Sequence, residues 1–95
     1  MRVEIIEYGQ KNKKTSYIKY KIKPLTHEAI KYLQKNIPET ITQTDKDTII
    51  LTAEYPNHIY PLQSQEAQKK PSIFIKREEI EMTAYISGVL EDLLC

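Results

Sequence analysis

The chain has 95 residues, of which 40% are hydrophobic and 28% charged, and its formal net charge is +1. This length fits one domain, residues 1–95, with a single modest core, and the composition argues against wholesale disorder. No apolar run approaches the ~18 residues needed to cross a bilayer, and the N-terminal residues lack the apolar centre of a signal peptide. The single cysteine, Cys95, cannot form an internal disulfide. We therefore expect an intracellular, cytoplasmic protein without a membrane partner.

The small net charge hides a separation along the chain. Residues 1–36 carry nine lysines and arginines against three acids, whereas residues 37–95 carry five against ten. Such asymmetry indicates either a polyanion site in the basic half or an attraction between the two halves.

The N-terminal segments predict a β-hairpin. Residues 2–8 are rich in β-branched and aromatic side chains, and a polar loop, residues 9–15, follows. Residues 16–23 predict a strand with one core face, because apolar and cationic side chains alternate from residue 18 to residue 23. The apolar positions are Ile18, Tyr20 and Ile22, and the cationic ones are Lys19, Lys21 and Lys23.

A short helix is predicted next. Thr26 is placed to be its N-cap and Glu28 lies in its first turn, where a carboxylate suits the helix dipole. Pro38 restricts Ile37 to extended geometry, so the helix should end near Asn36.

Residues 40–44 and 48–55 predict a second hairpin across Asp45-Lys46-Asp47. The triplet Ile49-Ile50-Leu51 predicts a central strand that is covered on both faces. Three less regular segments follow. Residues 58–60 are a candidate edge strand, residues 62–71 a candidate mobile loop, and residues 72–75 either a last strand or the lead-in to a helix.

Residues 76–95 predict a long C-terminal helix. Its apolar stripe recurs at i, i+4, i+7, i+8 and i+11, and consists of Met82, Ile86, Val89, Leu90 and Leu93. Glu78, Glu79 and Glu81 are predicted to occupy its first turn as solvated, dipole-complementing carboxylates.

These elements predict an α+β fold, β-β-α-β-β-(β)-α. The economical arrangement is a two-layer sandwich, with a mostly antiparallel sheet of two hairpins and both helices on one face. The order is loosely similar to that of the small dimerising L subunit of archaeal RNA polymerase. The His-Thr-Leu-Gly-Asn motif that opens the first helix of that family is absent from this chain. The resemblance therefore concerns architecture only.

The reverse side of the C-terminal helix is unusual for a solvated surface. It carries Ile80, Ala84, Ser87, Gly88 and Cys95 instead of lysine and glutamate. Small side chains allow close approach of another backbone, so this side is a candidate contact for a partner, including a second copy across a two-fold axis. The alternative is that the first helix or a loop of the same chain covers it, or that nothing does.

A stiff aromatic segment, residues 55–61, is a second candidate contact. It contains Tyr55, His58 and Tyr60 between prolines, and tyrosine is enriched at protein interfaces. The competing interpretation is a turn whose tyrosines cover the end of the core.

The lysine-rich hairpin is a candidate for sequence-nonspecific nucleic-acid binding, because three cations follow one strand face and a basic loop adjoins them. Nearby aromatics could stack on unpaired bases. The candidate residues are Lys11, Lys13, Lys14, Tyr17, Lys19, Lys21 and Lys23. Against this, lysines on an exposed strand also prevent edge aggregation, and arginine, the usual base reader, occurs only twice.

No motif for catalysis is present in the sequence. His27, His58 and Cys95 lack metal-ligand spacing, and two glycines in the whole chain exclude a glycine-rich phosphate loop. We therefore expect no enzymatic activity, catalytic residue, metal or cofactor. The expected function is protein binding, as an inhibitor, adaptor or accessory subunit of the kind also found in viruses and mobile elements, with nucleic-acid binding as the alternative.

Overall fold

A computed structural model describes residues 1–57 and 69–94. The described elements are strands β1 (Arg2–Gln10) and β2 (Thr15–Lys23), helix α1 (His27–Asn36), strands β3 (Thr40–Asp45) and β4 (Thr48–Pro56), and helix α2 (Pro71–Leu94). The predicted edge strand at residues 58–60, most of the predicted mobile loop and Cys95 lie outside the described residues.

The four strands form one antiparallel sheet in the order β1-β2-β4-β3, and two helices complete the fold, so the α+β prediction is confirmed. Alternate residues of β2 and β4 point into a core that both helices close. Its fully buried members include Ile18 and Tyr20 of β2, Leu51 of β4, Leu33 of α1 and Ile86 of α2. The period-two alternation in β2 thus predicted its buried face correctly.

Helix α1 has the predicted limits. The Thr26 hydroxyl accepts a hydrogen bond from the Ala29 amide at 3.1 Å, which satisfies one of the free N–H groups of the first turn. The helix ends at Asn36, and Ile37 has the extended backbone that a following proline requires.

Three local predictions were wrong. Strand β1 runs on to Gln10, so the first loop is shorter than predicted, because Gly9 and Gln10 still pair with β2. Ile50 lies on the outer sheet face beside Lys21 and Thr42 and is only half-buried, because no described element covers that face. Strand β4 is therefore central in the sheet but covered on one face only.

Helix α2 begins earlier than the predicted residue 76. The helix begins at Pro71, so residues 72–75 are helical and not a strand. Glu78, Glu79 and Glu81 consequently lie beyond the first turn, which carries no acidic residue. Proline is well suited to a first helical position, since its missing N–H would have no partner there. The predicted apolar stripe of α2 is confirmed, with Met82 and Ile86 buried.

Candidate functional site

The outer stripe of α2, defined here as Ile73, Ile80, Ala84, Ser87 and Gly88, faces away from the sheet. Helix α2 is continuous through Ser87 and Gly88 over its 24 residues. Ile80 and Ile73 are 63% and 57% exposed, and Ala84, Ser87 and Gly88 are exposed as well. A Cβ added at Gly88 would meet nothing within 4 Å. No described element covers this side, so α1 does not shield it.

Charged residues lie toward both ends of the outer stripe, with Arg77 between Ile73 and Ile80, and the order of these charges opposes the dipole of α2. Lys76 and Arg77 lie toward its N-terminal end, and Glu91 and Asp92 lie in its last turns. A helix dipole favours acids at the N-terminus and cations at the C-terminus. The arrangement therefore does not stabilise an isolated helix, but it is complementary to an antiparallel copy of itself.

On the flank of α2 that turns toward the end of β4, a cleft of about 340 Å³ opens between helix and sheet. We call it the glutamate-tyrosine cleft. Four glutamates and three tyrosines line it together with Ala53 and Met82, and none of the lining residues is basic. These seven polar residues are Glu39, Glu54, Glu78, Glu81, Tyr20, Tyr55 and Tyr85.

Three of the four glutamates of this cleft have partners. The Tyr85 hydroxyl donates to Glu39 Oε2 at 3.1 Å, Lys11 Nζ lies 2.6 Å from Glu54 Oε1, and Arg77 Nε lies 3.3 Å from Glu81 Oε1. Glu78 is only 9% exposed and has no hydrogen bond or ion pair to any described residue. Glu78 therefore has a side chain that is mostly buried, while its carboxylate has no partner among the described residues and still reaches solvent through the cleft.

The pKa values of the cleft residues respond to this burial. Desolvation, followed by repulsion from Glu81, raises the pKa of Glu78 above its usual value, and the nearby Arg77 guanidinium offsets this only in part. Burial also raises the pKa of Tyr55, which a hydrogen bond with Tyr20 counteracts. The pKa of Tyr85 is raised by desolvation and by its hydrogen bond to Glu39. In each case the neutral form of the side chain is favoured.

Strand β4 is longer than the strand that borders it at the cleft. The last pair between β3 and β4 is Thr40–Thr52, whereas β2 pairs with β4 as far as Pro56. From Ala53 to Pro56, β4 therefore has a described strand on one side only. Tyr55, which the sequence singled out, lies in this extension, while His58 and Tyr60 are outside the described residues.

The lysine face, which consists of Lys19, Lys21, Lys23 and Tyr17 on the outer side of β2, is interleaved with acids. Strand register places Glu7 opposite Lys19, and Glu4 opposite Lys21. Lys19 Nζ lies 3.4 Å from Glu7 Oε2, and the Tyr17 hydroxyl donates to the same oxygen at 2.8 Å. These contacts lower the pKa of Glu7, the Tyr17 hydrogen bond contributing most, and raise that of Tyr17.

The basic loop at the end of this hairpin is held by side chains. Asn12 Oδ1 accepts hydrogen bonds from the amides of Lys14 and Thr15, both at 2.9 Å, and Asn57 Nδ2 donates to the Lys13 carbonyl at 2.8 Å. Lys11, Lys13 and Lys14 therefore extend from a loop whose backbone is held by hydrogen bonds.

Residues 1–57 and 69–94 contain no group of three or more histidine, cysteine, aspartate or glutamate side chains that could hold a metal ion. None of the described helices is long and apolar enough to cross a membrane. His27 is exposed at the start of α1.

No sequence pattern predicted a place in a site for Glu78, which was expected to be solvated, or for Tyr85 and Glu39. A signal for Glu78 existed, because it lies four residues before Met82 and so continues the buried stripe of α2 toward the N-terminus. Glu39 and Tyr85 are 46 residues apart, and only the packing of α2 brings them together.

Comparison with curated proteins finds no significant match. A family model matches residues 2–92, which is nearly the whole chain. The chain therefore belongs to DUF5750, a family of unknown function.

Proposed function

We propose that this protein is a non-enzymatic protein-binding module, and that the partner of its outer stripe is a second copy of the same chain. The observation that carries the proposal is the 63% exposure of Ile80 on a helix side that also holds Ile73 and an open site at Gly88. Exposed apolar surface on a small domain is typical of a contact site.

The outer stripe is complementary to itself about Ala84. Ile80 lies four residues before Ala84 and Gly88 four residues after it. In an antiparallel pair of α2 helices related by a two-fold axis at Ala84, Ile80 of each copy would face the space beside Gly88 of the second copy. Such a contact is isologous and closes at a dimer.

The flanking charges favour the same arrangement. Lys76 and Arg77 lie eight and seven residues before Ala84, and Glu91 and Asp92 lie seven and eight residues after it. An antiparallel pair therefore brings the cations of each copy next to the acids of the second copy, where Arg77 also keeps its contact with Glu81 of its own chain. Ion pairs at the rim of an interface act mainly on the association rate and on specificity, and they are screened by salt.

The size of the stripe sets the expected affinity. A helix of 24 residues is about 36 Å long and about 10 Å wide, so one face offers roughly half of the ~800 Å² per partner of a standard interface. We therefore expect a weak dimer, with a dissociation constant on the order of micromolar.

Sedimentation equilibrium over a range of protein concentrations tests the proposal. We expect Ile80→Glu to raise the dimer dissociation constant by about tenfold or more, because it buries a carboxylate in the apolar contact. Gly88→Leu should also raise the dissociation constant, because the leucine would fill the space that Ile80 of the second copy occupies in the proposed dimer. Ile6→Glu is the matched control, because Ile6 is an exposed isoleucine on β1, away from the stripe. A wild-type protein that stays monomeric at the highest concentration would contradict the proposal.

The alternative, nucleic-acid binding by the lysine face, is less favoured because Glu4, Glu7 and Glu54 lie among its cations. We expect a labelled single-stranded oligonucleotide to bind negligibly in fluorescence anisotropy, even at low salt. A strong affinity that falls steeply with added salt, and that is lost in the triple variant Lys19→Glu, Lys21→Glu, Lys23→Glu, would instead favour this alternative.

A further inference from the structure

We propose that the glutamate-tyrosine cleft binds the side chain of an arginine that belongs to an extended segment of a partner protein. The inference concerns a different flank of α2 from the outer stripe, and the two sets of residues do not overlap. It therefore goes beyond the proposed dimer and does not depend on it.

Glu78 presents an unpartnered carboxylate to the cleft from a side chain that is otherwise mostly buried. Glu78 is 9% exposed and lines the cleft, yet no described residue donates a hydrogen bond to it or pairs with it. Removing an ionised carboxylate from water is unfavourable unless a cation or donors compensate it. Each of the other three glutamates already has a donor within contact distance, which is Tyr85, Lys11 or Arg77. A cation that enters the cleft would supply the partner that Glu78 lacks.

The glutamates and tyrosines that line the cleft favour a guanidinium group over a metal ion. The carboxylates do not converge closely enough to form a metal-binding group among the described residues. A guanidinium carries five donors in a planar fork, so it can reach several separated acceptors at once. Its flat faces also stack on aromatic rings, and three tyrosines line the cleft. The volume of about 340 Å³ lies at the lower end of the range for ligand pockets, which suits one long side chain.

The cleft lies beside the end of β4, and this position favours an extended peptide as the source of the arginine side chain. From Ala53 to Pro56, β4 is paired with β2 and has no described strand on its other side. A peptide can add to such an edge through backbone hydrogen bonds, while its alternate side chains enter pockets on one face of the sheet. Ala53 and Tyr55 are the β4 residues that point into the helix layer, and both line the cleft. A peptide paired along this edge would therefore direct every second side chain toward Glu78.

A titration with a matched pair of peptides tests the inference. The probe is a five-residue, terminally blocked peptide, Thr-Val-Arg-Val-Thr, and its control replaces the arginine by citrulline, which has nearly the same shape but no charge. Binding is followed by ¹H–¹⁵N correlation spectra of the full chain. We expect the arginine peptide to shift the amide signals of Tyr55, Glu78 and Tyr85 in a saturable way. The citrulline peptide should bind at least about tenfold more weakly.

Two variants complete the test. Glu78→Gln is expected to weaken the binding of the arginine peptide about tenfold or more, whereas Glu28→Gln, which makes the same charge change at an exposed position of α1, should leave the affinity unchanged. Equal affinity for the two peptides, shifts confined to residues outside the cleft, or equal loss in both variants would overturn the inference. Blocked arginine alone binding as tightly as the peptide would also overturn it, since the edge of β4 would then contribute nothing.

Discussion

Truncation of Ile86 to alanine is expected to lower the free energy of unfolding by about 3 kcal/mol, within the usual range for a buried isoleucine. Ile86 is 0% exposed and closes the core beneath α2. The loss combines the transfer free energy of the removed methyl groups with the cavity that they leave. For a domain of this size, with a total stability of roughly 5–14 kcal/mol, this is a large fraction.

The same substitution at Ile80 is the matched control. Ile80 belongs to the same helix and residue type but points outward, so Ile80→Ala should change the free energy of unfolding by no more than about 0.5 kcal/mol. Urea unfolding followed by circular dichroism measures both, at protein concentrations low enough for the monomer to dominate, because dimerisation would add to apparent stability. Similar losses at both positions would mean that the inner and outer faces of α2 are wrongly assigned.

Replacement of Glu79 by alanine should lower the free energy of unfolding by about 2 kcal/mol, the typical contribution of a hydrogen bond to a charged group. Glu79 Oε2 accepts a hydrogen bond from the Ile5 amide at 2.7 Å, in partly buried surroundings. Ile5 precedes the register shift of β1, which is an edge strand of the sheet. The contact thus ties α2 to β1 and satisfies a backbone donor on the sheet edge. Glu79→Gln keeps an acceptor oxygen without the charge, so we expect about half the loss.

The neighbouring residue should respond in the opposite direction. Glu78→Gln is expected to raise the free energy of unfolding by up to about 0.5 kcal/mol at neutral pH, because it removes a partly desolvated charge that has no partner among the described residues. The raised pKa of Glu78 also gives this gain a pH dependence. Below the unfolded-state pKa the carboxyl is protonated in both states and the variant gains little. The gain should develop as pH rises through the window just above 4.5.

Urea unfolding of Glu78→Gln and the wild-type protein between about pH 4 and about pH 7 measures that difference. A gain that is constant with pH would show that desolvation of the charge is not its cause. A destabilised variant would show that Glu78 has a stabilising contact. Increased stability combined with lost binding of the arginine peptide would be the trade-off expected of a residue kept for binding.

Much of the fold could be predicted from the sequence, because its strongest signals are local. The alternation of Ile18, Tyr20 and Ile22 with lysines predicted which face of β2 is buried, and Thr26 and Pro38 predicted the limits of α1. The stripe through Met82 and Ile86 predicted how α2 meets the sheet, and the exposure of Ile80 follows from the same periodicity. Capping, proline restriction and side-chain periodicity act over a few residues, so they are visible in the order of the chain.

What only the tertiary structure decided is which distant side chains meet. Glu7 and Lys19 are neighbours because of the strand register, which includes an irregularity between Ile5 and Glu7 that no local pattern indicates. Strand β3 begins at Thr40, opposite Thr52, so the last residues of β4 extend past it. The packing of α2 beside this extension brings Glu78 and Tyr85 to Tyr55 and Glu39. Contacts of this kind join chain segments that are remote in sequence. The effect of a charged side chain on its neighbours depends on its burial and on the distances between them, which only the folded protein defines. The sequence by itself therefore determined the elements and their buried faces, while the tertiary structure created the glutamate-tyrosine cleft and interleaved the lysine face with acids.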